Sequence, residues 1–173
     1  MYLASMKIVL ETDRLTLREY TTDDAPFLFR LVNDPAWLRH IGDRKVYTLQ
    51  DAEQYLLNGS IKSYHDHGFG FWKVENKETG EAMGSAGLAK RDYLEDIDLG
   101  FAFLPEYRTQ GYGLEAATHI IDFAKNNLGL KNLVAITAQD NIPSINLLAK
   151  LGFRYESKLL LEGEELNLYW LNV

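Results

Sequence analysis

The chain contains no cysteine. That excludes disulfides, thiolate zinc sites and a cysteine nucleophile, and it fits a reducing compartment such as the cytoplasm. Basic charge is also scarce. Eighteen Lys and Arg stand against 25 Asp and Glu, a net charge of -7, and the pI is near 5.1. No basic face is visible, so nucleic acid is not an expected partner. Long apolar runs are missing too. Lys7 interrupts the apolar start and no h-region follows, so neither a signal peptide nor a membrane span is expected. Met6 offers a second start, which would make Met1–Ser5 an extension. There is no repeat, no low-complexity tract and no linker. What is present is ordinary for a globular protein: 173 residues, 46% hydrophobic and 25% charged, read as one domain over 1–173.

Local patterns alternate in type along the chain. Leu15–Tyr20 alternates as a strand does. Thr21 or Thr22 caps a helix over Asp24–Val32, which Asn33-Asp34-Pro35 ends. Thr48 caps a second helix, Leu49–Tyr64. Strands follow at Phe71–Val74, Ala82–Leu88 and Ile97–Leu104. Leu114–Asn127 reads as a helix with Leu114, Ala117, Ile121, Ala124 and Leu128 on one face. Leu133–Thr137 is a strand, and Ile142–Leu151 is a helix with Pro143 in its tolerant first turn. Phe153–Leu161 and Leu166–Val173 close as a hairpin around Glu162-Gly163-Glu164. The sum is α+β: a mixed sheet of seven strands with about four helices. His65-Asp66-His67 has a metal-like spacing but falls in an expected loop with no further ligands, so no metal site is expected.

The segment Arg108-Thr-Gln-Gly-Tyr-Gly113 precedes the third helix. Two glycines at a helix start let backbone amides come close to an anion. Gln110, Gly111, Tyr112, Gly113 and Leu114 can turn their N–H groups to it, and Arg108 can add a charged fork. Gly111-x-Gly113-x-x-Ala116 also fits a loose dinucleotide fingerprint. Pro105–Gln110 separate it from its strand, however, and too little chain follows for a doubly wound domain. No Gly-Lys-Ser/Thr follows, which excludes a Walker loop. A plain turn relieved by glycine remains the other reading.

These residues resemble a known family. Arg108–Gly113 looks like the acetyl-CoA loop of the GNAT superfamily. Asn141-Ile-Pro-Ser-Ile-Asn-Leu-Leu-Ala-Lys-Leu-Gly-Phe153 resembles its N-x-x-S-x-x-L-L-x-K-x-G-F segment. Thr12–Arg18 and Asn33-Asp-Pro35 with Arg39-His-Ile-Gly42 are similar to the branch of ribosomal-protein N-terminal acetyltransferases (RimJ/RimL-like). The resemblance implies a GNAT fold, with a mostly antiparallel sheet splayed at the acetyl-CoA site. It implies pantetheine along Phe101–Leu104, with Phe103 and Leu104 in contact. It places Asn141 and Ser144 at the thioester, and Arg39 and His40 in a loop over the acceptor amine. The implied partners are acetyl-CoA and an amine, with no membrane and no nucleic acid, in a monomer or a homodimer.

Acetyl transfer to an amine needs a base for the ammonium proton and an acid for the thiolate. Asp98 shares a strand face with the small Gly100 and Ala102, which leaves space for substrate or a relaying water. It stands where many relatives of the branch carry Glu. Its other reading is a solvent-facing Asp. Many superfamily members carry a tyrosine acid at the position of Leu148. Here Ser144, one turn earlier, is the substitute, and its other reading is a first-turn cap. Asn141 can cap the helix and bind at once. Tyr169 on the last strand is the reserve acid.

Overall fold

The computed structural model describes residues 6–173; the expected extension at Met1–Ser5 lies outside them. Eight strands form one sheet: β1 Ile8–Glu11, β2 Leu15–Arg18, β3 Phe71–Asn76, β4 Ala82–Ala89, β5 Ile97–Phe103, β6 Asn132–Ala138, β7 Arg154–Leu161 and β8 Glu164–Asn172. Their spatial order is β1-β2-β3-β4-β5-β6-β8-β7. All neighbours are antiparallel except β5 and β6. The mixed, mostly antiparallel expectation holds, with one strand more than expected. That strand, β1, is short and half-exposed and, among the described residues, pairs with β2 alone.

The helices are α1 Ala25–Val32, α2 Pro35–His40, α3 Leu49–Leu56, α4 Lys62–His67, α5 Tyr112–Asn126 and α6 Ile142–Lys150. Two differ from the sequence reading. α1 ends at Val32, as expected before Asn33-Asp34-Pro35, but Pro35 also starts a helix that was not expected, α2. The Asp34 carboxylate accepts from the Ala36 and Trp37 N–H groups at 3.1 and 3.4 Å, and a proline at the first helical position gives up no needed donor. The expected helix Leu49–Tyr64 is α3 and α4 joined through a π-helical turn, Leu57–Ile61, which contains Gly59. His65 and His67 therefore sit on α4 rather than in a loop. Gly68, at φ +76°, ends that helix.

Cross-strand register assigns the two faces of the sheet. Arg18 lies opposite Lys73, Lys73 opposite Ser85, and Ser85 opposite Ala102, so this row shares one face. Helices α1–α4 cover that face, with Tyr20, Leu28, Val32, Val46, Ala52 and Leu56 forming their own apolar cluster. The opposite face carries Leu15, Leu17, Trp72, Val74, Met83 and Leu99, packed with Ala116, Ala117, Ile120 and Ala124 of α5 and Leu148 of α6. On α5 the fully buried stripe is these four residues, while Leu114 and Ile121, and Leu128 just past the helix, are half-buried. Small alanines let the helix lie close to the sheet. Each fully buried Leu or Trp in this layer adds roughly 1.5–3 kcal/mol.

One polar network is buried between α1 and the sheet. Arg18 bonds both oxygens of Asp24 at 2.8 Å and reaches Glu75 at 2.8 Å; Lys73 reaches Asp24 at 2.8 Å. Burial works to raise the Asp24 carboxyl, but the Arg18, Lys73 and Thr21 hydrogen bonds outweigh it and hold it at about 2. This network fixes the start of α1, and with it the helical layer, over β2 and β3.

Candidate active site at the splayed strands

β5 and β6 pair only at Ile97–Leu133 and Asp98–Val134. Beyond that point the two strands diverge, and among the described residues β5 has no sheet neighbour on its β6 side from Leu99 onward. A cavity of about 930 Å³ occupies the gap and passes from one face of the sheet to the other. On the α5–α6 face it is lined by Asn141, Ser144, Leu148 and Thr137. On the α1–α4 face it is lined by Tyr20, Trp37, His40, Phe71, Ser85 and Asp98. The expected splay is present, and it brings Asp98 and Ser144 to one opening.

Asp98 is 5% exposed, so the solvent-facing reading fails. Burial pushes its carboxyl up, and the Arg91 guanidinium, with Nε at 3.2 Å, pulls only partly back, leaving it at about 6. Across the β4–β5 hairpin Ala89 faces Asp98, and the chain just past Ala89 carries Arg91 back to it. The space over Gly100 is not free, however. A Cβ there would meet the Phe71 ring at 2.7 Å, so Phe71 fills it and forms cavity wall.

Asn141 caps α6, its Oδ1 accepting from the Ser144 N–H at 3.4 Å. Among the described residues the Ser144 hydroxyl itself makes no hydrogen bond, and it lines the cavity one turn before the buried Leu148. Tyr169, the reserve acid, is not among the lining residues; its hydroxyl accepts from Asn167 at 3.3 Å.

The glycine loop lies outside the cavity wall, at the start of α5. Gly111 is the N-cap at φ +83°, and no side chain caps the helix. Among the described residues, the Tyr112, Gly113 and Leu114 N–H groups have no acceptor within the protein. This is an anion cradle in geometry. Both glycines also have an internal reason. Gly111 takes a backbone shape that β-carbon-bearing residues avoid, and a Cβ at Gly113 would press on Leu147 at 3.1 Å.

Arg108 does not point into the cradle. Its Nε donates to the Phe103 carbonyl at 3.0 Å, and its other end is paired with the buried Asp34. Gln110 donates through its side chain to the Glu106 carbonyl. The cation at the cradle is instead Arg14, which the sequence reading missed. It stacks 4.3 Å from the Tyr112 ring centre, donates to the Gln110 carbonyl at 3.1 Å and pairs with Glu115 at 2.7 Å. Nothing local marks Arg14, because its neighbours in space lie about a hundred residues away.

Arg39 and His40 end α2. Arg39 is exposed and pairs with Asp140 at 3.0 Å; His40 Nδ1 is 3.4 Å from the same carboxylate but out of line for a hydrogen bond. His40 lines the cavity and Arg39 does not. Thus α2 is tied at one end, through Asp34, to the loop after β5. At the other end it is tied to the turn after β6. It spans the open end of the splay.

The comparisons with known proteins agree with this geometry. The family model described as "Acetyltransferase (GNAT) domain" matches residues 14–154. The uncharacterised N-acetyltransferase YoaA of Bacillus subtilis is 28% identical over 152 residues, covering 87% of this chain and 85% of YoaA. A solved acetyltransferase from Agrobacterium tumefaciens superposes with a TM-score of 0.83 at 24% identity, covering 100% of this chain and 98% of that one. RimL, a ribosomal L7/L12 alpha-N-protein acetyltransferase solved with coenzyme A, superposes with a TM-score of 0.82 at 17% identity over 96% and 98% of the two chains. The splayed sheet is therefore the family's fold, and the chain belongs to the GNAT acetyltransferases.

Proposed function

We propose that the chain transfers acetyl from acetyl-CoA to a primary amine, of a protein N-terminus or a small molecule, by direct attack. One observation carries the reading: the cavity through the splay joins a buried carboxylate on one face to a free hydroxyl on the other. The cradle fits the cosubstrate's pyrophosphate, since the N–H groups of Tyr112, Gly113 and Leu114 and the helix dipole await an anion. The β5 edge at Leu99 and Phe101 fits the pantetheine arm, whereas at the expected contacts the Phe103 carbonyl is taken by Arg108 and the Leu104 N–H and carbonyl by Met83 and Tyr107; Asn141 fits the thioester end. Arg108 serves by position, holding Asp34 and hence α2, rather than by touching phosphate.

Asp98 takes the ammonium proton, directly or through a water. The amine nitrogen then bonds to the thioester carbon as the carbon–sulfur bond breaks, and it sheds its second proton. Ser144 supplies a proton to the departing sulfur and regains one from the nitrogen through water. Most of the gain comes from holding the two reactants in line. His40 shapes the acceptor side from the end of α2, with Arg39 holding α2 closed. The narrower kinship with ribosomal-protein acetyltransferases rests on the Thr12–Arg18 and Asn33–Gly42 segments. A second reading, an acyl-CoA binder with little turnover, draws on Leu148, which is 1% exposed where a tyrosine acid often stands.

The test is Asp98→Asn, followed by steady-state kinetics across pH. A carboxyl at about 6 is ionised, and able to accept a proton, above that pH. kcat/KM should fall about 10²- to 10⁴-fold near neutrality and least at high pH, where free amine is abundant. An equal loss at every pH would remove Asp98 as the base. Absence of turnover in the unaltered protein with a broad amine panel would favour the second reading. The same variant has a stability signature. The folded state holds the Asp98 proton to about pH 6, whereas an unfolded Asp releases it near 3.8. Its stabilising contribution is thus full below the unfolded value and lost as pH rises through 6, a cost on the order of 3 kcal/mol at pH 7. Asparagine carries no such cost.

A further inference from the structure

The buried carboxylate of Asp98 has a neighbour whose own bonding is incomplete. Arg91 lies on the turn between β4 and β5, which the Leu94 N–H closes by donating to the Arg91 carbonyl at 3.2 Å. Its Nε donates to one Asp98 oxygen at 3.2 Å. Among the described residues its side chain makes no other hydrogen bond, so the two terminal nitrogens of the guanidinium have no protein acceptor. The Arg91 side chain is 35% exposed against 7% for Asp98, and both residues line the cavity. The fork is thus held at Asp98 by its inner nitrogen, and its outer edge is open to a ligand.

Charge decides what that ligand is. Asp98 and Arg91 balance one another. An amine arrives near neutral pH as an ammonium, and at this pair it would leave one positive charge in excess beside a guanidinium, where like charges repel. A carboxylate on the same acceptor removes the excess. The outer edge of a guanidinium is shaped to hold it, because two parallel N–H groups meet two carboxylate oxygens. The other charges on this bank of the cavity agree. Arg44 and Lys90 line it without an ion pair among the described residues, whereas Asp43 and Asp66 are engaged by Tyr47 and Lys62. Glu162 and Glu164 line it from the β7–β8 turn, on the β6 side of the splay.

We propose that Arg91 is a specificity-determining residue: it takes a carboxylate of the acceptor on its outer edge while its Nε stays with Asp98, so the acceptor is an amine with a carboxylate only a few bonds away. The α-carboxylate of a free amino acid and the side-chain carboxylate of an acidic N-terminal residue share this chemistry. The place of the amine rests on the acetyl-transfer reading; the binding of the carboxylate does not.

The experiment compares each acid with its own amide. kcat/KM is measured for alanine and alaninamide, and for aspartyl-alanine amide and asparaginyl-alanine amide, with unaltered protein and Arg91→Gln. Acid and amide differ in amine basicity, and Arg91→Gln also disturbs Asp98. Both effects cancel in the change of the acid-to-amide ratio from one protein to the other. Arg91→Gln should lower that ratio by tenfold or more, at least ~1.4 kcal/mol, for one pair or both, and the pair that responds tells the source of the carboxylate. Arg91→Lys keeps the charge without the fork and should lower the ratio less; it also reads the ratio if Arg91→Gln does not fold. A second arm needs no turnover. With CoA present, calorimetry should find one of the acids bound more tightly than its amide, and that preference lost in Arg91→Gln. A ratio left unchanged for both pairs, or no calorimetric preference for either acid, would overturn the proposal. A calorimetric preference lost in Arg91→Gln, with no turnover of any acceptor, would uphold it and count against the acetyl-transfer reading alone.

Discussion

The two sides of the splay are built from different material. On the α5–α6 side the proposed recognition elements are backbone: the first N–H groups of α5 and the β5 edge that diverges from β6. On the α1–α4 side they are side chains, among them His40, Ser85 and Asp98, gathered from across the sequence. A backbone site is specified by a few adjacent residues that permit a shape. A side-chain site is specified by whatever holds distant elements in register. The first side should therefore resist single side-chain deletions, and the second should be sensitive to them, including deletions in its frame.

The largest expected effect is in that frame. Asp24→Ala leaves the buried Arg18 and Lys73 with Glu75, at 2.8 and 3.1 Å, as their remaining shared carboxylate, and breaking such a network costs about 3 kcal/mol. Urea unfolding at neutral pH reads this directly, and a loss below about 1 kcal/mol would mean that the network does not hold the helical layer. In the unaltered protein the Asp24 contribution is present above the usual carboxylate range and is lost only as pH falls toward about 2. Next in size is Ser144→Ala at the junction of the two sides. kcat should fall roughly 10- to 100-fold while acetyl-CoA affinity changes little. A normal kcat would assign the sulfur's proton to water, and a large loss of CoA affinity would leave Ser144 as a binding or capping residue. The smallest tests the backbone side. Gly111→Val meets a φ of +83° that valine avoids and should weaken acetyl-CoA by tenfold or more, at least about 1.4 kcal/mol, by calorimetry. Unchanged affinity in a folded variant would show that the cradle is a plain turn.

This difference in material also explains how much the sequence revealed. The glycine loop, the Asn141–Phe153 segment and the α5 stripe are local, so their spacing was readable, and the family followed from them. The β5 alternation placed Asp98 correctly on the face bearing Gly100 and Ala102. It could not show that Phe71, from two strands away, fills the room over Gly100. Arg108 looked like a phosphate fork because its distant partner, Asp34, is invisible to spacing. Arg14 went unseen for the converse reason. β1 was missed as an edge strand of four residues with only one neighbour. α2 was missed because a proline that stops one helix opens another when an aspartate precedes it.

The two tethers of α2 are unequal. At one end Asp34 is buried, with 6% of its side chain exposed, and meets an Arg108 that is 39% exposed. At the other, Arg39 and Asp140 are 69% and 59% exposed. An exposed pair of this kind is worth about 0–1 kcal/mol and weakens as salt is added. The buried end is therefore the firmer tether and the exposed end the weaker one, and added salt loosens the Arg39–Asp140 end of α2 before the Asp34 end. Which tether yields first is decided by which of the two carboxylates the solvent can reach.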